Sequence, residues 1–175
     1  MAKILTIIVS YNFEPWIHKC LHSLLLSSHP TDILVIDNNS RDHTTCIIKE
    51  TYPAVRLIES PENLGFGKAN NIGLTIALEE DYDYAFLVNQ DAWVDQNCIA
   101  NLIKVNTANI GIISPSTTMV RRKNSTMGSQ FIRSIRSLKI PTEPAHSSML
   151  LFVDTKSCHQ KSRRFFSNFL PLWRR

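Results

Sequence analysis

The chain has 175 residues, 43% of them hydrophobic and 19% charged, which suits one folded domain with a real core and excludes an intrinsically disordered chain. Its formal charge of +4 is unevenly placed: Asp and Glu crowd the stretch from Met1 to Met119, and the basic excess comes from Arg121, Arg122, Lys123, Arg133, Arg136, Lys139 and the tail Arg163–Arg175. A late basic segment fits anionic lipid or phosphate as well as nucleic acid, and without an aromatic-basic platform no nucleic-acid partner is expected.

In chain order, Ile4-Leu5-Thr6-Ile7-Ile8-Val9 is an apolar, largely β-branched run, as expected of a strand buried on both faces of a parallel sheet. The polar turn Ser10-Tyr11-Asn12 ends it, which makes the run too short for a signal peptide. From Pro15, residues Trp16, Ile17, Cys20, Leu21, Leu24 and Leu25 recur at helical spacing until Pro30 closes the segment. Ile33-Leu34-Val35-Ile36 predicts a second buried strand ending in Asp37-Asn38-Asn39-Ser40, followed by a helix from Thr44 to Tyr52 and a strand at Val55–Ile58. The loop from Pro61 to Gly67 leads into a helix over Lys68–Glu79, and Tyr84–Val88 is a strand ending at Asn89-Gln90-Asp91. Val94 to Val105 reads as a helix and Gly111-Ile112-Ile113-Ser114 as the start of a strand. Arg121 to Pro144 is polar and basic and reads as a long loop.

Strands alternating with helices over short loops imply an α/β sandwich around a mainly parallel sheet. The four cysteines, Cys20, Cys46, Cys98 and Cys158, lack metal-ligand spacing and read as separate, mostly buried thiols in a reducing cytoplasm. No stretch approaches the ~20 apolar residues of a membrane-spanning helix. A cytoplasmic protein is therefore expected.

Four polar clusters fall at strand ends, where open α/β sheets bind their ligands. Ser10-Tyr11-Asn12 can offer backbone groups and a Tyr face to a base or ribose, or can be an ordinary turn with Asn12 capping the next helix. In Asp37-Asn38-Asn39-Ser40-Arg41-Asp42, Asp42 can cap a helix, whereas Asp37 stands behind four apolar residues and needs a partner. The loop Asn63-Leu64-Gly65-Phe66-Gly67-Lys68-Ala69-Asn70-Asn71-Ile72-Gly73 is either a simple glycine turn or a close approach to a diphosphate at a helix N-terminus, with Lys68 adding charge. It is neither a dinucleotide fingerprint nor a P-loop. Asn89-Gln90-Asp91 suits Mg²⁺ or Mn²⁺ that phosphates also hold, or is a plain strand-end turn.

In this order the clusters resemble glycosyltransferase family 2, and the Asn-Leu-Gly-Phe-Gly and Asn-Gln-Asp variants resemble its bacterial rhamnosyltransferase-like members. The resemblance covers most of Ile4 to Ser114. It implies the GT-A fold, a Rossmann-like three-layer sandwich, with the C-terminal part incomplete. Ser10, Tyr11 and Asp37 would line the nucleoside pocket; Asn63, Gly65, Lys68, Asn70 and Asn89 would border the donor. Asp91 would be the metal-contacting acid of the family's DXD motif, whose first acid is replaced here by Asn89. The implied partners are a nucleoside diphosphate sugar, Mg²⁺ or Mn²⁺, and a glycan or lipid-linked acceptor, with peripheral contact at the inner face of the membrane. The implied reaction is sugar transfer to an acceptor hydroxyl in glycan or polysaccharide synthesis; the alternative is a non-catalytic nucleotide-binding or interaction module of the same fold.

The resemblance divides the chain into a nucleotide-sugar-binding core (1–119), a basic loop (120–144), the start of an acceptor-side half (145–161) and an aberrant tail (162–175). The family places its catalytic base in a segment resembling Gly-Gly-Phe followed by Gly-Glu-Asp, and no such segment is readable here. Weak or no transfer is therefore expected of this chain. The tail from Lys161 can be written in codons that, moved forward by one nucleotide, read Lys-Val-Gly-Gly-Phe-Phe-Pro-Thr-Phe-Tyr-His-Tyr-Gly-Glu. A displaced reading frame is thus the expected origin of 162–175. The gene's nucleotide sequence tests it, because codons incompatible with the shifted string rule it out.

Overall fold

The computed structural model describes residues 1–105, 112–114, 133–134 and 150–155. The expectations for the tail at 162–175, and for most of the loop at 120–144, lie outside the described residues.

The elements, in chain order, are β1 (Ile4–Ser10), α1 (Ile17–Leu25), β2 (Asp32–Asp37), α2 (Thr44–Thr51), β3 (Arg56–Glu59), α3 (Phe66–Glu79), β4 (Tyr84–Asn89), α4 (Cys98–Val105), β5 (Ile112–Ser114), β6 (Arg133–Ser134) and β7 (Leu150–Asp154). They build one seven-stranded sheet in the order β3-β2-β1-β4-β7-β5-β6. β1 to β4 pair in parallel, and β7 enters antiparallel between β4 and β5.

Every residue of β1 is buried because both faces of the sheet are covered. Ile4 and Ile8 pack with Ile17, Leu21 and Leu24 of α1, Ile48 of α2, and Ile99 and Leu102 of α4. Leu5, Ile7 and Val9 face the other way, against Ala69, Leu74 and Ala77 of α3. This alternation is the period of two expected of a strand, and it produces the three layers. Phe152 fixes β7 to its neighbour, stacking on Tyr84 at 4.7 Å between ring centroids and meeting Phe86 edge-on at 6.0 Å.

Several boundaries differ from the sequence reading. α1 ends at Leu25, well before Pro30, and α4 starts at Cys98 rather than Val94. Val94 N donates to Ser23 Oγ of α1, and the turn in which Asn97 N donates to Asp95 Oδ1 leads into α4 at Cys98. β7 falls within the segment 145–161 expected to begin the acceptor-side half, and the long basic loop contains the short strand β6. Cys20, Cys46 and Cys98 are free thiols as expected, but Cys46 is exposed. Among the described residues no helix is long and apolar enough to cross a membrane.

Gly73 lets α3 sit directly on β1. A Cβ there would lie 2.6 Å from Ile7 Cγ2. Gly73→Ala is expected to cost about 1–3 kcal/mol through overpacking, read as a lower urea midpoint.

Candidate functional site

β1, β2 and β3 run outward on one side while β4 pairs with the other edge of β1, so the chain reverses direction across the sheet between β1 and β4. A crevice opens outside the strand ends at such a switch. The register brings the polar ends level: Ser10 lies opposite Asp37, Val9 opposite Asn89, and Asp37 opposite Glu59.

Asp37 is only 2% exposed, and its carboxylate is held by neutral donors. Ser10 Oγ donates to Oδ1 at 2.9 Å, Ser40 Oγ donates to the same oxygen, and Ser40 N donates to Oδ2 at 2.9 Å. Those bonds answer the desolvation that four preceding apolar residues impose. The backbone adds Asn38 N to Ser10 O and Ser60 N to Asp37 O, both 2.8 Å.

Two asparagines turn the chain out of these strands in left-handed conformation, Asn12 at φ 52° and Asn39 at φ 62°. Asn is among the few residues that adopt it readily. Asn12 N donates to Ser40 Oγ at 2.9 Å, and its Oδ1 accepts from Arg41 N at 3.0 Å. The side chain thus joins the first two clusters and does not cap α1, whose N-cap is Trp16 without a side-chain bond. Asp42 does close the start of α2, accepting from Thr44 N and from Glu14 N at 3.1 Å each.

Burial raises the pKa of Asp42, but hydrogen bonds from Thr44, from Glu14 N and from its own backbone outweigh it, so the net shift is downward. A depressed pKa means that ionised Asp42 stabilises the fold above its unfolded value, about 3.9, and that this contribution is lost as pH falls through the folded value. Asp42→Asn should therefore flatten the acid limb of stability below about pH 4, as measured by urea midpoints across pH.

The third cluster is tied to the second: Leu64 N donates to Asn38 Oδ1 at 3.3 Å. Asn63 Oδ1 accepts from Gly65 N at 2.9 Å, and Gly65, at φ 77°, is the N-cap of α3 with no side-chain cap bond. α3 consequently begins at Phe66, ahead of the expected Lys68, and Lys68 is exposed in its first turn. Asn70 is 6% exposed and its amide donates back to Phe66 O at 3.0 Å, so it braces the helix from within.

At the end of β4, Gln90 faces Tyr11. Tyr11 N donates to Gln90 Oε1 at 2.8 Å, and Gln90 Nε2 donates to Tyr11 O at 3.2 Å. The Tyr11 backbone is thereby occupied, while its side chain remains exposed. Asn89 Oδ1 is the one buried side-chain oxygen or nitrogen without a hydrogen-bond partner among the described residues. Asp91 is exposed. Its charge reaches inward: burial first, then Asp91, pushes the Cys20 thiol up to about 12, so Cys20 is neutral and unreactive.

Among the described residues no group of three or more His, Cys, Asp and Glu side chains could hold a metal. A hard cation held mostly by phosphate oxygens needs only one or two protein oxygens. The exposed Asp91 carboxylate, two residues beyond the unpaired oxygen of Asn89, is a protein oxygen of that kind.

Ser10, Tyr11, Asp37, Asn89 and Asp91 thus lie at or just past the carboxyl ends of the neighbouring strands β2, β1 and β4. Asn63 and Gly65 join through the Asn38 tie, and Asn70 is turned into α3. The sequence offered Asn12 only as a helix cap, and Asn38, Ser40 and Gln90 only as members of their clusters, with no sign that they connect one turn to another. Asparagines immediately after buried strands were the available signal for the first two.

Residues 6–161 match the model described as Glycosyl transferase family 2. The chain is 37% identical over 73 residues to an N-acetylglucosaminyl-diphospho-decaprenol L-rhamnosyltransferase of Mycobacterium tuberculosis, covering 41% of this chain and 24% of that protein. It is 31% identical over 106 residues to Glycosyltransferase GlyA of Streptococcus pneumoniae serotype 4, covering 58% of this chain and 15% of the relative. The chain therefore spans less than a quarter of the length of either. Mannosyltransferase PcManGT from Pyrobaculum calidifontis, solved with GDP-Man and Mn²⁺, superposes with a TM-score of 0.54 at 25% identity, over 63% of this chain and 34% of that one.

Proposed function

The chain belongs to glycosyl transferase family 2 and has the GT-A architecture, and on that premise we propose that the β1–β4 crevice binds a nucleoside diphosphate sugar together with Mg²⁺ or Mn²⁺. What supports the reading is that the hydrogen-bonded Ser10–Asp37 pair, Asn89 with its unpaired oxygen, and Asp91 all end neighbouring strands at one switch point. The Tyr11 ring, exposed at the mouth, is the surface offered to the nucleoside. Asp37 keeps a lone pair on Oδ2 for a base N–H or a ribose hydroxyl, in addition to its bond from Ser40 N. Asn63, Gly65, Lys68 and the start of α3 border the diphosphate, where helix N–H groups and a lysine favour negative charge. Asn70 contributes by bracing that first turn.

When bound, the divalent ion would neutralise the diphosphate as it leaves the sugar. Asp91, with the Asn89 oxygen, is the group that would hold it. Transfer would form a bond from an acceptor oxygen to the anomeric carbon and release the nucleoside diphosphate. The acceptor's proton must go to a base, and no residue of this chain is assigned that part. Donor binding is the step these residues account for.

The rhamnosyltransferase relative is named for a lipid-linked substrate. That supports a glycan or lipid-linked acceptor here, reached from the cytoplasmic side of a membrane.

Titration calorimetry with UDP, GDP and dTDP, each with and without Mn²⁺, tests the reading. Binding of at least one, tightened by the metal, is expected. Failure of all three to bind in Mn²⁺ overturns it.

A further inference from the structure

The paired stretch of β1 and β4 runs from Ile4 opposite Tyr84 to Val9 opposite Asn89 and goes no further. Past that point both strands turn away, and the backbone groups of Tyr11 would face the crevice with nothing fixing them. The Gln90 side chain takes their place in the ladder. Its amide is chemically a peptide unit: the oxygen accepts from Tyr11 N at 2.8 Å, and the NH₂ donates to Tyr11 O at 3.2 Å. One side chain thus supplies an extra rung across the switch point.

Few residues can do this. Glu has no donor at neutral pH, Asn is one methylene shorter, and Met has the length without either polar group. The two turns joined this way have different tasks in the donor reading, on which this inference rests. One presents the Tyr11 ring, and the other carries Asn89 and Asp91.

We infer that Gln90 is a positioning residue that locks the nucleoside-facing Tyr11 turn to the diphosphate-facing Asn89–Asp91 turn. A donor has its base and its diphosphate joined by a ribose of fixed reach, so both ends bind together only if the two turns keep their separation. Without the lock, the freedom of the Tyr11 turn must be frozen when the donor binds, which weakens binding.

The experiment compares the unaltered chain with Gln90→Met, using UDP, GDP and dTDP as probes, each with and without Mn²⁺, alongside amide hydrogen exchange. In the unaltered chain the Tyr11 amide should exchange slowly, and in Gln90→Met it should exchange at least tenfold faster. The variant should also bind the preferred nucleotide about tenfold more weakly in Mn²⁺, with the tightening by Mn²⁺ reduced and the melting temperature nearly unchanged. A merely structural role would lower the melting temperature and leave the Mn²⁺ dependence intact. Fast exchange at Tyr11 in the unaltered chain overturns the lock without any variant. Equal nucleotide affinity in both proteins overturns the positioning role. If no nucleotide binds the unaltered chain, the donor reading fails and the positioning role falls with it, whereas slow Tyr11 exchange in the unaltered chain, with faster exchange and weakened nucleotide binding in Gln90→Met, sustains both.

Discussion

Asp37→Ala is expected to destabilise the fold by about 3–5 kcal/mol, a large part of the ~5–15 kcal/mol that holds an ordinary domain together. The carboxylate is buried and accepts from Ser10 Oγ, Ser40 Oγ and Ser40 N. Removing it strands these donors, and Ser10 is itself fully buried. A hydrogen bond to a charged group contributes roughly 1.5–3 kcal/mol, and an orphaned buried donor costs about 1–3. Asp37→Asn should cost less, because one amide oxygen can still accept from the hydroxyls while the NH₂ group opposes Ser40 N. The order Ala, then Asn, then the native residue should appear in urea unfolding. Ser10→Ala combined with Asp37→Ala should cost less than the two singly, since they share one bond. An alanine variant within about 1 kcal/mol of the native chain would show that Ser10 and Ser40 find other partners.

That network also marks the limit of what the sequence revealed. Buried strands were legible because β1 is apolar but for Thr6 and Ser10 and β2 carries four consecutive apolar residues, the near-continuous pattern of a sheet covered on both faces. The parallel order from β1 to β4 followed from the intervening helices. The antiparallel entry of β7 beside β4 did not, because it depends on Phe152 meeting Tyr84 and Phe86, far away in sequence. Helix ends were blurred for a related reason. Apolar spacing reaches back to Val94, but the turn closed by Asn97 N donating to Asp95 Oδ1 sets the start of α4 at Cys98.

The site divides in the same way. Spacing and residue type placed Ser10, Tyr11, Asp37, Asn89 and Asp91 at strand ends, and the register brought them level. What could not be read was which side chains face a ligand and which serve the scaffold. Asp37 gives most of its acceptor capacity to Ser10 and Ser40, Asn70 turns back on Phe66, and Asn12 reaches Arg41 rather than capping a helix. Each is a short polar side chain near a turn, where local bonds to neighbouring backbone compete with any bond to a ligand. A sequence records the residue type but not which competitor wins.

Asp91 is where function and stability should separate most cleanly. It is exposed, so Asp91→Asn should change stability by no more than about 0.5 kcal/mol. Its effect on binding should be large. In the proposed complex a diphosphate would bring several negative oxygens to a site whose proposed countercharges are Lys68 and the ion, with Asp91 as the carboxylate proposed to hold that ion. In the native chain Mn²⁺ should tighten nucleoside diphosphate binding by at least tenfold, about 1.4 kcal/mol. In Asp91→Asn the affinities with Mn²⁺ and with a chelator should converge on the weaker value, because contacts from Tyr11 and Asp37 to the nucleoside persist while the metal-linked part is lost. If Mn²⁺ still tightens binding by the native factor in Asp91→Asn, the metal is held elsewhere and the assignment of Asp91 is wrong.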